Sequence, residues 1–367
     1  MKKYLHRTAA KILSSLSLIL AGIIFSSCQD PIFYHINQEV KLEDASIFGD
    51  VFFIARHKYN NEERLYFSNG IIYYKNADDD GYGKWKKSTK PAGRVVSVVS
   101  DSSNLYALVF SETRDDYEGE MKITGKRIYR SSDGGSTWEL HSELNDLMTT
   151  LKAKSSVSLM CTNAINPNNR YAYANIKGKV YNLGNNSSAG TGSAGTEVTV
   201  STVSSISRSC VYAGGVKFFN CYGACTDESK TQSASKIFAS ENGSVYIYNT
   251  SGTKIGSSNP SVGIIYGIAS FDNGNQFMVT SSSGSALMQR QGNDDYSWSD
   301  TDYANLTSTL SSLYEGMYAL AVDPSMPALS STAYAGLNVY GTGSNSALFS
   351  HEGLWAYYPA RAKWNIE

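Results

Sequence analysis

Alternating apolar and polar positions dominate this chain, and few stretches carry a helical period. Val95-Val96-Ser97-Val98-Val99 is followed by the polar run Asp101 to Asn104 and then by Leu105-Tyr106-Ala107-Leu108. The same order returns at Val157 to Cys161, Asn166 to Asn169, and Tyr171-Ala172-Tyr173-Ala174. It returns again at Tyr266 to Ala269, Asp272 to Asn275, and Gln276 to Val279, and once more at Met317 to Val322, the turn near Pro324, and Thr332 to Ala335. Short apolar runs rich in β-branched and aromatic residues, bounded by Asn, Asp, Gly and Ser, predict strands joined by tight turns.

A third strand and a tryptophan complete the unit. Ile72 to Lys75 precedes Trp85, Arg127 to Ser131 precedes Trp138, and Ala286 to Gln289 precedes Trp298. These tryptophans are separated by 53 and 160 residues, and the second interval is close to three times the first. A recurring four-stranded unit of about 40 to 50 residues predicts the blade of a β-propeller. One blade leaves both faces bare, so blades pack around an axis until the ring closes. Opening strands near Val51, Val95, Val157, Cys210, Ile264 and Met317 predict six blades, with room for a seventh in the long interval from Val95 to Val157. Ile32 to Val40 or Trp355 to Ile366 is the candidate strand for closing the ring. The expected class is all-β, a propeller of four-stranded blades; an array of two-sheet sandwiches is the alternative.

The N-terminus carries separate information. Lys2, Lys3, Arg7 and Lys11 precede an apolar stretch, Ile12 to Phe25, that ends in Ser26-Ser27-Cys28. Basic, apolar and small residues in that order are an export signal, and the stretch is shorter than the roughly 20 apolar residues of a spanning helix. Small residues before a cysteine predict cleavage and lipid attachment at Cys28. Phe25, where Leu is usual, departs from the strict pattern and is similar to the relaxed sites of spirochaetal lipoproteins. Gln29 follows rather than Asp, which favours the outer membrane. The expected organisation is a signal peptide over 1–27, a lipidated segment over 28–46 with a candidate closing strand, and one propeller domain over 47–367.

Composition narrows the chemistry. The formal charge is −1, and losing four signal cations leaves 28 basic against 33 acidic residues, a net of −5. No basic face for nucleic acid is implied. Cys161, Cys210, Cys221 and Cys225 are an even set in an exported chain and are candidates for two disulfides with three connectivities. Their spacing, with no histidine nearby, does not suit a metal. Asp78 to Asp80, Asp115, Asp116, Glu118 and Glu120 lack the spacing of a calcium loop and are expected to be solvated turns. The small, polar run Asn185 to Thr196 is expected to be a flexible loop. No cofactor is expected, and neither a Ser–His–Asp nor a His–Glu–x–x–His arrangement occurs.

Ser131-Ser132-Asp133-Gly134-Gly135-Ser136-Thr137-Trp138 fits S-x-D-x-G-x-T-W at every fixed position. On these residues the chain resembles the Asp-box repeat proteins, which include sialidases, sortilin-type receptors and photosystem assembly factors. The pattern predicts a turn between third and fourth strands. Asp133 is placed to accept from the turn's own N–H groups, Gly135 to supply a positive φ, and Trp138 to pack on the hairpin. Asp80 with Trp85, and Asn293 with Trp298, are degenerate copies. The box is a structural device and implies no catalysis.

A sialidase needs three arginines for the substrate carboxylate, a Tyr–Glu nucleophile pair and an acid/base Asp. Their Phe/Tyr-Arg-Ile-Pro sequence is missing, and Arg56, Arg64, Arg94, Arg170, Arg208 and Arg290 share no common context. Asp30 to Ile36 followed by Glu39 to Glu43 is similar to the opening of surface lipoproteins of treponemal spirochaetes, a likeness that implies location more than activity. The expected function is therefore a membrane-anchored, non-enzymatic platform for a protein or glycan ligand. A sialidase-like carbohydrate-active enzyme and an envelope assembly factor are the alternatives.

Overall fold

A computed structural model describes residues 47, 49, 51–79, 84–114, 121–153, 157–184, 193–198, 200–202, 211–213, 216–219, 224–226, 236–241, 243–249, 253–259, 263–281, 284–290, 296–299, 314–339, 353–361 and 363–367. Cys28, Asp80, Asn293, Cys210 and Cys221 lie outside them, as do Ile32 to Val40 and residues 115–120. Residues Ser46–Glu367 form one compact unit.

Among the described residues the chain folds into seven antiparallel sheets. The first holds β1 (Ile54–Tyr59), β2 (Glu62–Ser68), β3 (Ile72–Asn76) and β4 (Lys86–Lys87) in sequence order. The second holds β5 (Arg94–Ser100), β6 (Leu105–Arg114), β7 (Met121–Ser131) and β8 (Glu139–Leu140), and a helix, α1 (Ser142–Thr150), follows it. The third has only β9 (Val157–Cys161), β10 (Ala172–Ile176) and β11 (Lys179–Asn182), and the fourth only β12 (Val200–Thr202), β13 (Val211–Ala213) and β14 (Val216–Phe219). Then come β15 (Ala224–Thr226), β16 (Ile237–Glu241), β17 (Ser244–Tyr248) and β18 (Lys254–Ser258). The sixth sheet is β19 (Ile265–Phe271), β20 (Gln276–Ser281), β21 (Gly284–Arg290) and β22 (Tyr296–Ser299). The last is β23 (Tyr314–Ala321), β24 (Ala333–Val339), β25 (Gly353–Tyr358) and β26 (Lys363–Ile366).

The arrangement is propeller-like. Going round, β1 neighbours β5, β5 neighbours β9, β9 neighbours β14, β14 neighbours β15, β15 neighbours β19, β19 neighbours β23, and β23 returns to β1. Five sheets have the four strands of a complete blade, which corrects the expected count of six or seven. Two causes explain the difference. The interval from Val95 to Val157 holds one sheet, lengthened by the β6–β7 hairpin and by α1. The strand expected to open a blade near Cys210 is β13, the middle strand of a three-stranded sheet whose last strand faces its neighbours. Strands of three residues there are too short to show an alternating period.

Among the described residues no strand is exchanged between the first and last blades. β25 and β26 are the third and fourth strands of the sheet that β23 and β24 begin, so Trp355 to Ile366 completes its own blade. The two ends of the unit meet instead through one backbone bond, from the Ile47 N–H to the Glu367 C=O at 3.2 Å. Close packing supports it: a Cβ on Gly336 would stand 2.4 Å from the Val51 carbonyl oxygen.

Apolar side chains from alternate positions build the core between sheets. Phe67, Tyr106, Leu159, Ala174 and Leu354 are buried in one cluster spanning the first, second, third and last blades. Phe238, Ile247, Ile268 and Phe277 form a second cluster between β16–β17 and β19–β20. Burial at roughly 25 cal/mol per Å² of apolar surface is the main force holding the sheets face to face. Tyr73, Tyr106 and Tyr173 are buried as core residues. Tyr106 and Tyr173 each stand second in the second strand of their sheets, whereas Tyr73 lies on a third strand.

Candidate functional site

Two polar constellations stand out. The first is the turn between β7 and β8. The Ser131 hydroxyl donates to Asp133 Oδ1 at 2.8 Å and accepts from the Gly135 N–H at 2.9 Å. Asp133 Oδ1 also accepts from the N–H groups of Ser136 (3.0 Å) and Thr137 (2.8 Å), and its Oδ2 accepts from the Thr137 hydroxyl at 2.6 Å. Desolvation pushes the Asp133 carboxyl up, but the Thr137 and Ser131 hydroxyls and the turn N–H groups outweigh it and lower the pKa to about 2. Gly134 and Gly135 both have positive φ, +66° and +87°.

The first blade clamps this turn. Tyr66 Oη donates to the Gly134 carbonyl at 3.0 Å, and Ser88 Oγ to the Gly135 carbonyl at 3.0 Å. Thr89 Oγ1 bonds the Gly135 carbonyl and reaches Ser136 O at 2.8 Å. Trp138 Nε1 returns a bond to the Thr89 carbonyl at 3.1 Å. The turn is thus a joint between blades, a role that its local sequence alone does not specify.

Trp85 stands immediately before β4 as Trp138 stands before β8, and Trp298 lies in β22, the fourth strand of its blade. The Trp85 ring meets Phe67 edge-on at 4.7 Å and Tyr334 at 5.5 Å between centroids. Cys161 is buried at the end of β9 with its Sγ 3.8 Å from Asn163 Oδ1. Cys225 falls within β15.

The second constellation was not legible in the sequence. It gathers where the first half of β1 meets the ends of β9 and β23. Arg56, 2% exposed, donates from Nη2 to the carbonyls of Ala321 (2.8 Å) and Val322 (2.6 Å). Asn163 binds β1 as a neighbouring strand would: its Oδ1 accepts from the Arg56 N–H at 2.9 Å and its Nδ2 donates to the Ile54 carbonyl at 2.7 Å. Arg170, 1% exposed, donates from Nε to the Ala164 carbonyl at 2.8 Å and from Nη2 to the Ile165 carbonyl at 3.2 Å. Its Nη2 also stands 2.7 Å from Glu63 Oε1, an ion-pair distance lying off the N–H direction.

His57 is buried beside them, with Nδ1 3.0 Å from Ser100 Oγ. Burial first, then the Arg170 charge, lowers its pKa to about 4, so the imidazole is neutral at ordinary pH. Arg170 is itself pushed below the usual guanidinium range, by burial first and with the Arg56 charge contributing in the same direction. Arg56 Nε and Arg170 Nη1 are buried and have no hydrogen-bond partner among the described residues. Unpaired buried donors cost about 1–3 kcal/mol each.

Of the other arginines, Arg64 sits on β2 with Glu62 at 2.6 Å and over the rings of Tyr59 and Tyr74. Arg94 opens β5 and Arg290 closes β21, while Arg208 lies outside the described residues. The structure therefore brings Arg56 and Arg170 together.

The family model of the TP013X lipoprotein family matches residues 1–221 of this chain. No curated protein matches. Among solved structures, a chain of the mitotic checkpoint complex is similar at 9% identity and a TM-score of 0.42, covering 82% of this chain and 94% of that one. An ancestral GH74 enzyme is similar at 14% identity and a TM-score of 0.41, covering 85% of this chain and 36% of that one, so this chain spans about a third of its length. The structure of U3-55K is similar at 11% identity and a TM-score of 0.37, covering 77% of this chain and 73% of that one. Likenesses at these identities and TM-scores decide no activity.

Proposed function

The chain belongs to the TP013X lipoprotein family, and on that premise we propose an exported, lipid-anchored envelope protein whose sheets serve as a non-enzymatic binding platform. The observation that carries this reading is the interlocking of the blades. The Asp133 turn, the Ile47–Glu367 bond and the Arg56–Asn163 bonds each tie together segments far apart in sequence. A scaffold so fixed presents its connecting loops with little ordering cost on binding. Cys28 carries the lipid, and more than one acyl chain gives durable anchoring. Gln29 directs the anchor to the outer membrane. The Ser131–Trp138 turn supports an Asp-box blade, and the segment from Asp30 to Glu43 supports kinship with treponemal surface lipoproteins.

The partner is a protein or glycan, and the mature charge of −5 disfavours nucleic acid. The test begins with palmitate labelling of cells that make the full chain. Label and membrane association should both disappear in Cys28→Ala. Detergent-extracted protein is then used to capture partners from envelope fractions and from glycan arrays. Recovery of one saturable partner supports the platform; turnover of a sialoside or aryl glycoside replaces it with the enzyme alternative. Proteolysis of intact cells separates surface display from an inward-facing assembly factor.

A further inference from the structure

We propose that the arginine cluster between the first half of β1 and the ends of β9 and β23 binds one small monovalent anion of halide size. Three observations carry it. First, the cluster holds an excess of positive charge. Among the described residues, Arg56 and Arg170 contribute two cations, Glu63 is the carboxylate at ion-pair distance from Arg170, and His57 is buried as a neutral ring. Burying an uncompensated charge is costly unless a counter-charge accompanies it.

Second, the donors are in surplus. The carbonyls of Ala164, Ile165, Ala321 and Val322 accept from three guanidinium nitrogens. Of the three nitrogens that remain, Arg56 Nε and Arg170 Nη1 are buried with no partner among the described residues. Third, the two arginines are fixed to the same short segment. The Arg56 N–H bonds the Asn163 side chain, and Arg170 Nε bonds the carbonyl of the next residue, Ala164. Their like charges are thereby held together, an arrangement that an anion between them relieves.

Neighbouring groups set the size and charge of the ligand. Arg56 and Arg170 are 2% and 1% exposed, so the site excludes a sugar acid or a phosphate ester. One net charge calls for a monovalent ion. The Glu63 side chain, 24% exposed, is the part of the cluster that meets solvent most, against 0% for the Arg170 side chain it pairs with.

The experiment is thermal unfolding of the full chain in detergent at constant ionic strength, with chloride replacing gluconate, which is too large for the site. Binding to the folded state raises its population in proportion to ligand once the site saturates. A tenfold increase in chloride above the dissociation constant is expected to shift the folded-to-unfolded ratio tenfold, and Arg170→Met is expected to abolish the dependence. Should Arg170→Met fail to fold, Glu63→Gln serves instead: removing the competing carboxylate is expected to move the dependence to lower chloride. Bromide-soaked crystals are expected to give an anomalous peak within 3.5 Å or so of Arg56 Nε or Arg170 Nη1. Identical unfolding in the two salts, an equal dependence in wild type and Arg170→Met, or bromide bound only elsewhere would each overturn the proposal.

Discussion

Lys75 Nζ lies 2.8 Å from Tyr358 Oη, joining β3 of the first blade to β25 of the last across 283 positions of sequence. Tyr334 Oη accepts from the same ammonium at 2.9 Å, and Tyr358 in turn bonds the Glu367 carboxylate. The rings of Trp85, Tyr334 and Tyr358 surround the charge at 5.0 to 5.9 Å. A buried ammonium is tolerable here because oxygen acceptors and ring faces replace its water.

Removing one acceptor should therefore cost more than removing the charge. Tyr358→Phe leaves Lys75 buried with an unmet donor and is expected to destabilise by about 2–3 kcal/mol. Lys75→Met keeps the apolar stem without the charge and is expected to cost less, since replacing a buried charge with an apolar isostere is often near neutral. Urea unfolding of the two variants gives the order; a larger loss in Lys75→Met would contradict it.

The Asp133 turn carries a pH signature. Its folded pKa, about 2, lies below the ordinary 3.8, so the folded state binds fewer protons than the unfolded one. Its stabilisation is complete above the unfolded value and is lost as pH falls from about 4 through about 2. Asp133 is only partly buried, so solvent screening reduces the contribution to about 1 kcal/mol. The stability gap between wild type and Asp133→Asn is expected to be constant at neutral pH and to close over that acid window. A gap unchanged down to pH 2 would show that the carboxylate charge does not contribute.

His57 acts in a different range. Its folded pKa is lowered to about 4 from 6.5, so protonation favours the unfolded chain. Its share of stability is full above pH 6.5, falls as pH drops from 6.5 towards 4, and then levels off. The loss amounts to about 3 kcal/mol. His57→Gln is expected to flatten that part of the stability–pH curve, measured by denaturant unfolding at intervals of half a pH unit.

Three glycines separate strain from collision. Gly178 has φ +82° with nothing within 4 Å of a Cβ, so Gly178→Ala meets only the left-handed penalty, about 1 kcal/mol. Gly134→Ala adds a clash, because its Cβ would stand 2.6 Å from the Tyr59 ring. Gly336→Ala drives a methyl into the Val51 backbone at the closure of the first and last blades. Thermal midpoints should fall least for Gly178→Ala, with Gly134→Ala and Gly336→Ala both clearly lower.

The alternating strands, the tryptophans before or within fourth strands and the Ser131–Trp138 turn were all legible in the amino-acid order, because each is set by neighbours within a few residues. A turn forms where Asp133 can reach its own N–H groups, and a strand forms where apolar positions alternate. The division of residues 200–258 into two sheets was not legible. A strand as short as Val211–Ala213 is marked only by its pairing with β12 and β14, not by a pattern of its own. Nor did the sequence mark Arg56 and Arg170 out from the other arginines. They are 114 positions apart, and only the packing of β1 against the loop after β9 puts both on the Asn163–Ala164 segment. Local order chose the elements and the turn chemistry. The number of complete blades, the way the ring closes and the meeting of buried charges were decided by tertiary packing, because distant groups interact only once the sheets have excluded water from between them.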